Sequence, residues 1–525
     1  MYDATWLLRL SARRRLRQLA ALDPAQAQRR VLSSLIHRAR RTRFGRDHGF
    51  STAWSLDDYR ARVPLRDYDG FWEAYWRAPF PRLADCTWPG LIPWFAVSSG
   101  TATGTTKYIP VSREMHRANV RASADLVTHH LANRPESRLF AGRVFMLGGS
   151  TGLERQAPGV FSGDLSGIAA AAMPGWARLR YFPPRDLEAI ADWQVKIERF
   201  AARSLEEEIT GIAGTPSWLL IFLERLIEIA GSRRGGAAGR IADIYPALEM
   251  LSHGGVAWAP YRDRFAALLD GSRAETREVY PASEGFFAVA DRGDGEGLRL
   301  LLDNGIFYEF VPLDQLGSER PDCRWIGDAE PGVNYALAVT TCAGIWRYLV
   351  GDTVTLVDRT PPRVLVTGRT SYMLSAFGEH VIGAEVERAV AEAARAIGAT
   401  VSDFAAGSLL PQETGARGGH LYVVELGAEG SGPDAGSKAR FAAALDATLC
   451  RLNDDYAAHR AGGYGMDAAR VRFLPAGAFA AWMKSRGKLG GQNKVPRVIN
   501  DPALFAALQA FADSHDGTEH GTRRP

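Results

Sequence analysis

The sequence predicts an α/β protein, with a large domain of mixed sheets and helices over residues 1–370 and a smaller α+β domain over residues 371–525. Three observations predict it. Short apolar runs alternate with segments of helical periodicity between residues 144 and 368, which is the signature of an α/β domain. Clusters of glycine and hydroxyl residues lie where those runs end, at 98–107, 148–152 and 252–256. After Gly368-Arg369 the composition changes character.

At 525 residues the chain exceeds what one hydrophobic core organises. Its 46% hydrophobic and 23% charged residues are ordinary for a folded globular protein. No stretch approaches the roughly 18 to 20 consecutive apolar residues of a membrane span. Residues 1–15 lack the apolar core and cleavage site of a signal peptide, so a cytoplasmic protein without membrane insertion is expected. Cys86, Cys323, Cys342 and Cys450 are scattered, without zinc-site spacing or a disulfide framework, and are expected to be buried reduced thiols. A net charge of +4 is small for this length and does not point to nucleic acid.

In the first 46 residues, Arg13, Arg14, Arg15, Arg17, Arg29, Arg30, Arg38, Arg40 and Arg41 face almost no acids. Asp23-Pro24 with Gln26 reads as a helix N-cap and capping box, and Val31, Leu32, Leu35 and Ile36 form an apolar stripe. Two amphipathic helices packed on the main body, with the arginines in solvent, are expected; contact with an acidic membrane or a nucleic acid is the lesser reading. Trp72, Trp76, Trp88 and Trp94 crowd the approach to residue 98, and such crowding is usually core.

The stretch Ser98-Ser99-Gly100-Thr101-Ala102-Thr103-Gly104-Thr105-Thr106-Lys107 has the composition of an anion-wrapping loop. Glycine lets consecutive N–H groups point at one set of oxygens, hydroxyls add donors, and Lys107 adds charge. Apolar residues enter and leave it, so it is expected at the tip of a β-hairpin. It is not the P-loop pattern, in which a helix follows directly. A buried strand over 144–147 leads to a second tight loop, Gly148-Gly149-Ser150-Thr151-Gly152.

Leu187, Ile190, Trp193, Ile197 and Phe200 predict a helix over 186–200, and Thr215-Pro216 starts another over 217–229. Residues 248–251 run into Ser252-His253-Gly254-Gly255-Val256, and Val279-Tyr280-Pro281-Ala282-Ser283-Glu284-Gly285-Phe286 follows. Residues 306–311, with Glu309 among them, alternate as a strand, and 335–341, Trp346-Arg347-Tyr348-Leu349-Val350-Gly351-Asp352 and 364–367 are further strands. The small domain is expected to hold a helix over 383–394, strands near 401–405, 421–426 and 471–474, and a long helix ending near Tyr456. Residues 427–438 read as a flexible connection and the tail from Ser514 as disordered.

A magnesium-bound triphosphate needs donors for phosphate oxygens, a carboxylate for the metal, a slot for the base and an acceptor for the ribose hydroxyls. Each part has a candidate here. Taken singly, each also has an ordinary reading: Glu284 a surface carboxylate, Asp352 a turn residue, Tyr280 core, Lys494 solvated, His253 a satisfied loop histidine.

The loop from Ser98 through Lys107-Tyr108-Ile109-Pro110, the segment Tyr280-Pro281-Ala282-Ser283-Glu284, and Trp346-Arg347-Tyr348-Leu349-Val350-Gly351-Asp352 resemble, in order and spacing, the three nucleotide motifs of the Gretchen Hagen family of acyl-acid amido synthetases. The likeness spans nearly the whole chain, from Arg43-Phe44-Gly45-Arg46-Asp47-His48-Gly49-Phe50 through Phe307-Tyr308-Glu309-Phe310 and Phe377-Gly378-Glu379 to Gly491-Gln492-Asn493-Lys494-Val495-Pro496-Arg497. One departure is Ala282, where the family tends to carry a hydroxyl; Ser283 is the candidate to supply it.

The resemblance implies a large adenylate-forming domain with a mobile C-terminal domain, and an ATP- and Mg2+-dependent ligase that makes an acyl-adenylate from a carboxylic acid and passes the acyl group to an amine, an amino acid. It implies that Ser98, Ser99, Gly100, Thr101, Thr103, Gly104 and Lys107 hold the β and γ phosphates and that Glu284 holds magnesium. Gly254, Gly255 and Val256 would border the adenine with Tyr280 stacking on it, Asp352 would bind the ribose, Arg369 would reach ribose or phosphate, and Lys494, with Lys488 competing, would stabilise the α-phosphate. A thiol acceptor, coenzyme A or a carrier protein, is the nearest alternative, and a non-catalytic nucleotide-binding protein the next. Trp193 and Trp218 suit a hydrophobic or aromatic acyl pocket, or simply core.

Overall fold

The computed structural model describes residues 2–98, 106–148, 152–188, 190, 193–233, 239–255, 258, 261–293, 295–316, 318–370, 373–379, 381–411, 417–427, 433–463, 465–486 and 495–516. They fall into two compact units, one of residues up to 98 with 106–370, the other of residues from 371 on.

The first unit is built on a sheet of twelve described strands. Tyr181–Phe182, Arg143–Leu147, Ile209–Gly214, Met250–His253 and Glu275–Ala282 run parallel in that spatial order. From Glu275–Ala282 onward the pairing turns antiparallel, through Gly285–Val289, Leu298–Leu300, Pro362–Arg369, Ile345–Arg359, Asn334–Thr341, Ile306–Pro312 and Arg324–Trp325. Parallel strands need crossovers that cover both faces, and the inner strand Met250–His253 is accordingly buried throughout. Helices Trp193–Ser204 and Pro216–Arg233 pack on each other, and Arg113–Asn133 packs on Gly285–Val289. The carboxyl ends of the parallel strands share one side of the sheet, so Gly148, Gly214 and Gly254 gather there, and Glu275–Ala282 runs on past them to Ala282.

A separate four-stranded sheet, ordered Lys107–Val111, Trp94–Ser98, Val160–Gly163, Glu154–Ala157, carries the hairpin expected around the hydroxyl-rich loop. Ser98 pairs with Lys107 as its last described rung. Residues 99–105 lie outside the described residues.

Several expectations are corrected. Asp23 caps its helix by accepting from the Gln26 amide, but the Gln26 side chain accepts from Arg30 instead of closing a capping box. Arg15 is not in solvent: it is clamped between Asp125 and Asp303. The periodicity over 186–200 belongs to two helices, Arg185–Glu188 and Trp193–Ser204. Ile306–Pro312 alternates in sequence yet is buried on both faces up to Val311, because the carboxylate of Glu309 is neutralised by two arginines. Trp76 and Trp88 are core, whereas Trp72 and Trp94 are half-buried against it. The four cysteines are free thiols, with only Cys450 half-exposed.

The second unit is a three-stranded sheet, Val401–Leu409 antiparallel to Gly419–Leu426, which runs parallel to Arg470–Leu474. Helices Gly383–Ala396 and Ala435–Leu452 pack together. The long helix expected to reach Tyr456 breaks at Asn453, whose extended backbone ends it and whose side chain caps Asp454–Arg460. Residues 435–438, expected in a flexible connection, are already helical, capped by Asp434. Helix Pro502–Asp516 carries order past Ser514, and it and Ala478–Ser485 are two helices beyond those expected in this domain.

Candidate active site

The site lies where the sheet changes from parallel to antiparallel. Strands Glu275–Ala282 and Gly285–Val289 form a hairpin whose two-residue turn is Ser283-Glu284. A bulge between Phe286 and Ala288 kinks the returning strand, and the turn holds Glu284 buried rather than in solvent. Removal from water pushes the Glu284 carboxyl up from the ordinary carboxylate range, and the negative field of Asp352 adds to this. Its own amide, Lys107 and the Tyr348 hydroxyl, which donates to it, act in the opposite sense.

Asp352 reaches the same place by a different device. Strand Ile345–Arg359 pairs Leu349 with Ala338 and Thr353 with Ala336, so Val350, Gly351 and Asp352 together face the single residue Leu337. Two extra residues bulge the strand, and Gly351 takes φ 92°, a conformation that disfavours any side chain. On the other side Asp352 stays in register with Arg369, whose Nε lies 3.2 Å from Oδ1. Tyr280 donates its hydroxyl to Oδ2 of Asp352 at 2.6 Å. Burial, then the charge of Asp352 and this bond to it, hold the phenol well above its ordinary pKa.

The start of the motif strand is pinned by a buried ion cluster. Arg347 adopts φ 46°, unusual for a residue with a Cβ. Its Nε donates to Glu309 Oε2 at 2.9 Å, and Arg60 Nε to Oε1 of the same carboxylate at 3.0 Å. The remaining guanidinium nitrogens donate to Val63 O, Arg60 O and Cys323 Sγ. The sequence singled out Arg347 and Glu309 as motif members but gave no sign that they pair. Tyr348, next in the chain, thereby comes to Glu284.

Lys107 stands at the hairpin exit with Nζ 5.2 Å from the centre of the Tyr68 ring. The Tyr68 hydroxyl accepts from the Tyr108 amide at 3.0 Å, which ties the end of the loop to the body. Burial lowers the Lys107 pKa and Arg369 lowers it further, while Glu284, Asp69 and Asp67 oppose this.

Gly254 follows strand Met250–His253, and a Cβ there would lie 2.4 Å from the Val279 carbonyl oxygen. Only glycine allows this backbone to pass beside the chain leading to Tyr280. Gly255 turns with φ 89°. His253 stacks on Trp258 with ring centres 3.6 Å apart. Ser283 is half-buried in the hairpin turn.

Lys107, Tyr280, Glu284, Asp352, Arg369 and Tyr348 thus form one electrostatically coupled group drawn from three distant segments. Ser99, Gly100, Thr101, Thr103, Gly104, Val256, Lys488 and Lys494 lie outside the described residues, as does the Trp193 side chain. Among the described residues no three His, Cys, Asp or Glu side chains gather as a metal site. A magnesium ion is ordinarily held by one or two carboxylates and otherwise by phosphate oxygens and water, so Glu284 fits an ion that arrives with a nucleotide.

Three domain models of one family match this chain: the GH3 family N-terminal domain over residues 14–159, the central domain over 299–369 and the C-terminal domain over 384–503. The chain belongs to the GH3 family. Among curated GH3 relatives, indole-3-acetic acid-amido synthetase GH3.8 of Oryza sativa subsp. indica is 26% identical over 306 residues, 55% of this chain and 49% of the relative. Indole-3-acetic acid-amido synthetase GH3.3 of Arabidopsis thaliana is 26% identical over 256 residues, 46% of this chain and 41% of the relative. The match therefore spans about half or less of these two relatives' length. The solved structure of AtGH3.15 acyl acid amido synthetase in complex with 2,4-DB superposes with a TM-score of 0.58 at 16% identity, covering 96% of both chains. A 2-hydroxyisobutyryl-CoA ligase in complex with 2-HIB-AMP and CoA gives the same TM-score at 17% identity, covering 95% and 94%. These superpositions establish the GH3-like α/β fold of the large and small units. No described helix is long and apolar enough to cross a membrane.

Proposed function

We propose that this GH3 protein is an ATP-dependent ligase that activates a carboxylic acid as its acyl-adenylate and transfers the acyl group to an amine, an amino acid, forming an amide and releasing AMP. The observation that carries this reading is the meeting of Lys107, Glu284 and Asp352, from three separated motifs, around one buried group of charges.

A free carboxylate cannot expel oxide, so it attacks the α-phosphorus of ATP and displaces pyrophosphate. The mixed anhydride then has AMP as leaving group, and a neutral amine attacks its carbonyl carbon, loses a proton and forms the amide. In this reading Ser98, Ser99, Gly100, Thr101, Thr103, Gly104 and Lys107 hold the β and γ phosphates. Asp352, oriented by Tyr280 and Arg369, accepts from the ribose hydroxyls. Gly254, Gly255 and Val256 border the adenine, and Tyr280 lies beside it. Glu284, with Tyr348 fixing one oxygen, holds magnesium, which when bound offsets phosphate charge. Lys494, from the small domain over 371–525, stabilises the α-phosphate.

The names of the curated relatives suggest an aromatic acid of the indole-3-acetate kind as acyl substrate. Transfer to a thiol is a second reading, supported by the equal fold likeness to a CoA ligase. Purified protein with ATP, magnesium, a panel of acids and either amino acids or coenzyme A tests both. An amide is the expected product, whereas a thioester alone would select the second reading. Acid-dependent exchange of labelled pyrophosphate into ATP is expected for either, and Glu284→Ala is expected to abolish it with the melting temperature retained. No exchange in the unaltered protein with any acid would refute adenylate formation.

A further inference from the structure

We infer that the outer face of helix Thr5–Ala20 docks on an anionic lipid bilayer surface. This surface is separate from the ligase site.

Eleven large apolar side chains are exposed among the described residues, and Tyr2, Trp6, Leu7 and Leu10 are four of them. Trp6 is 60% and Leu10 58% exposed, and at 3.6 residues per turn they continue into Arg13 and Arg17 along one row, with Leu7 and Arg14 beside it. The same outward face is therefore apolar in its first half and basic in its second. Arg13, Arg14 and Arg17 are exposed, and no acidic residue occurs from Ala4 to Leu22.

The helix does not show its apolar face for want of an anchor. Its inward side buries Thr5 and Ala12, and Arg9 donates to the Ser137 carbonyl at 2.6 Å. Arg15 donates to both oxygens of Asp125 at 2.7 Å and to both of Asp303 at 2.7 and 2.8 Å. The Ala4 amide donates to Phe140 O and the Phe140 amide to the Thr5 hydroxyl. Half-buried Leu8, Leu16 and Leu19 join Arg9 and Arg15 on the inward side, so Trp6, Leu7 and Leu10 are a second apolar set that this packing leaves outside, unlike an ordinary surface helix.

Charge selects the occupant. The same face of a second copy carries no acid and would leave these arginines without an anionic partner, whereas a bilayer bearing anionic headgroups offers acceptors to Arg13, Arg14 and Arg17 and an interfacial zone to Trp6, Leu7 and Leu10. Reversible anchoring needs an apolar and a basic contribution together, and this face has both. The helix lies on the membrane and does not cross it.

The full chain is sedimented with vesicles of phosphatidylcholine alone and of phosphatidylcholine with phosphatidylglycerol. Co-sedimentation with the anionic vesicles only, released by salt, is the expected result. Arg13→Gln combined with Arg14→Gln is expected to weaken it about tenfold or more. Trp6→Ser combined with Leu10→Ser is expected to abolish it with an unchanged melting temperature, whereas Leu179→Ser, an exposed apolar residue elsewhere, leaves it intact. Four results would overturn the inference: no co-sedimentation, equal binding to neutral vesicles, retained binding in the Trp6/Leu10 variant, or an association between copies or with RNA that those residues control while vesicles are ignored.

Discussion

At the scale of single residues, two opposed shifts meet at the site. Burial holds the Glu284 carboxyl above the ordinary range, so as pH falls it takes up a proton before an exposed glutamate would. Burial lowers Lys107, so as pH rises it loses its proton before an exposed lysine would. If Glu284 must be ionised and Lys107 charged for ATP to bind, the pyrophosphate-exchange rate at limiting ATP, which reads the free protein, falls on both sides of a narrowed window. Lys107→Arg, whose guanidinium keeps its proton, is expected to extend the basic limb; an unmoved limb would assign that titration to another group. Tyr280→Phe removes the hydroxyl that donates to Asp352 and leaves Arg369 as its partner. The expected cost is about 1 kcal/mol, read as roughly fivefold weaker ATP binding by titration calorimetry. The residue types of this group were legible in the sequence because glycine, hydroxyl and carboxylate stand together at the ends of apolar runs. Tyr348 was legible only as a neighbour in its motif, since its bond to Glu284 joins strands that are remote along the chain.

At the scale of elements, the carboxyl ends of two parallel strands contribute Gly254, Tyr280 and Glu284 to the site, while the amino ends of the same two strands are locked by charge. The imidazole of His130 is buried between Glu275, 2.6 Å from Nδ1, and Glu249, 3.7 Å from Nε2. Arg134 and Arg277 also reach Glu275, so this carboxylate serves three cations. The carboxylate bonds raise the His130 pKa against burial, so its contribution to stability is complete below pH 6.5 and is lost as pH rises through the raised value. Its cationic partners pull Glu275 down to about 2 against burial, so its contribution is complete above pH 4.5 and is lost as pH falls toward 2. Glu275→Ala is expected to cost about 3 to 5 kcal/mol at neutral pH by denaturant titration, because it strands buried cations. Gly254→Ala is expected to cost about 1 to 3 kcal/mol and to weaken ATP binding, since its Cβ would press on the Val279 carbonyl; an alanine variant as stable as wild type would contradict that close approach. Strands announced themselves by apolar runs, whereas helix Ala478–Ser485 did not. It begins after Gly477 with no cap of its own, and its first amides donate to Glu425 from strand Gly419–Leu426, a cap that local sequence cannot reveal.

At the scale of the whole molecule, residues up to 98 with 106–370 and those from 371 on form two compact units that have their own hydrophobic cores. Separate cores unfold as separate cooperative transitions when little couples them, so calorimetry is expected to resolve two. ATP is expected to raise the transition of the larger unit, which holds Glu284 and Asp352; a single transition that ATP leaves unmoved would argue against this partition. The order of strands in the larger sheet was not legible, because long-range pairing leaves no local trace. Arg347 shows what such pairing imposes on the history of a sequence. Glycine would ease its backbone but strand Glu309 with a single cation, and lysine would keep a charge but lose the fork that reaches Val63 and Cys323. Neutral drift is therefore closed at this position unless residue 309 changes in the same step, and the two are expected to vary together across descendants of a common ancestor or not at all.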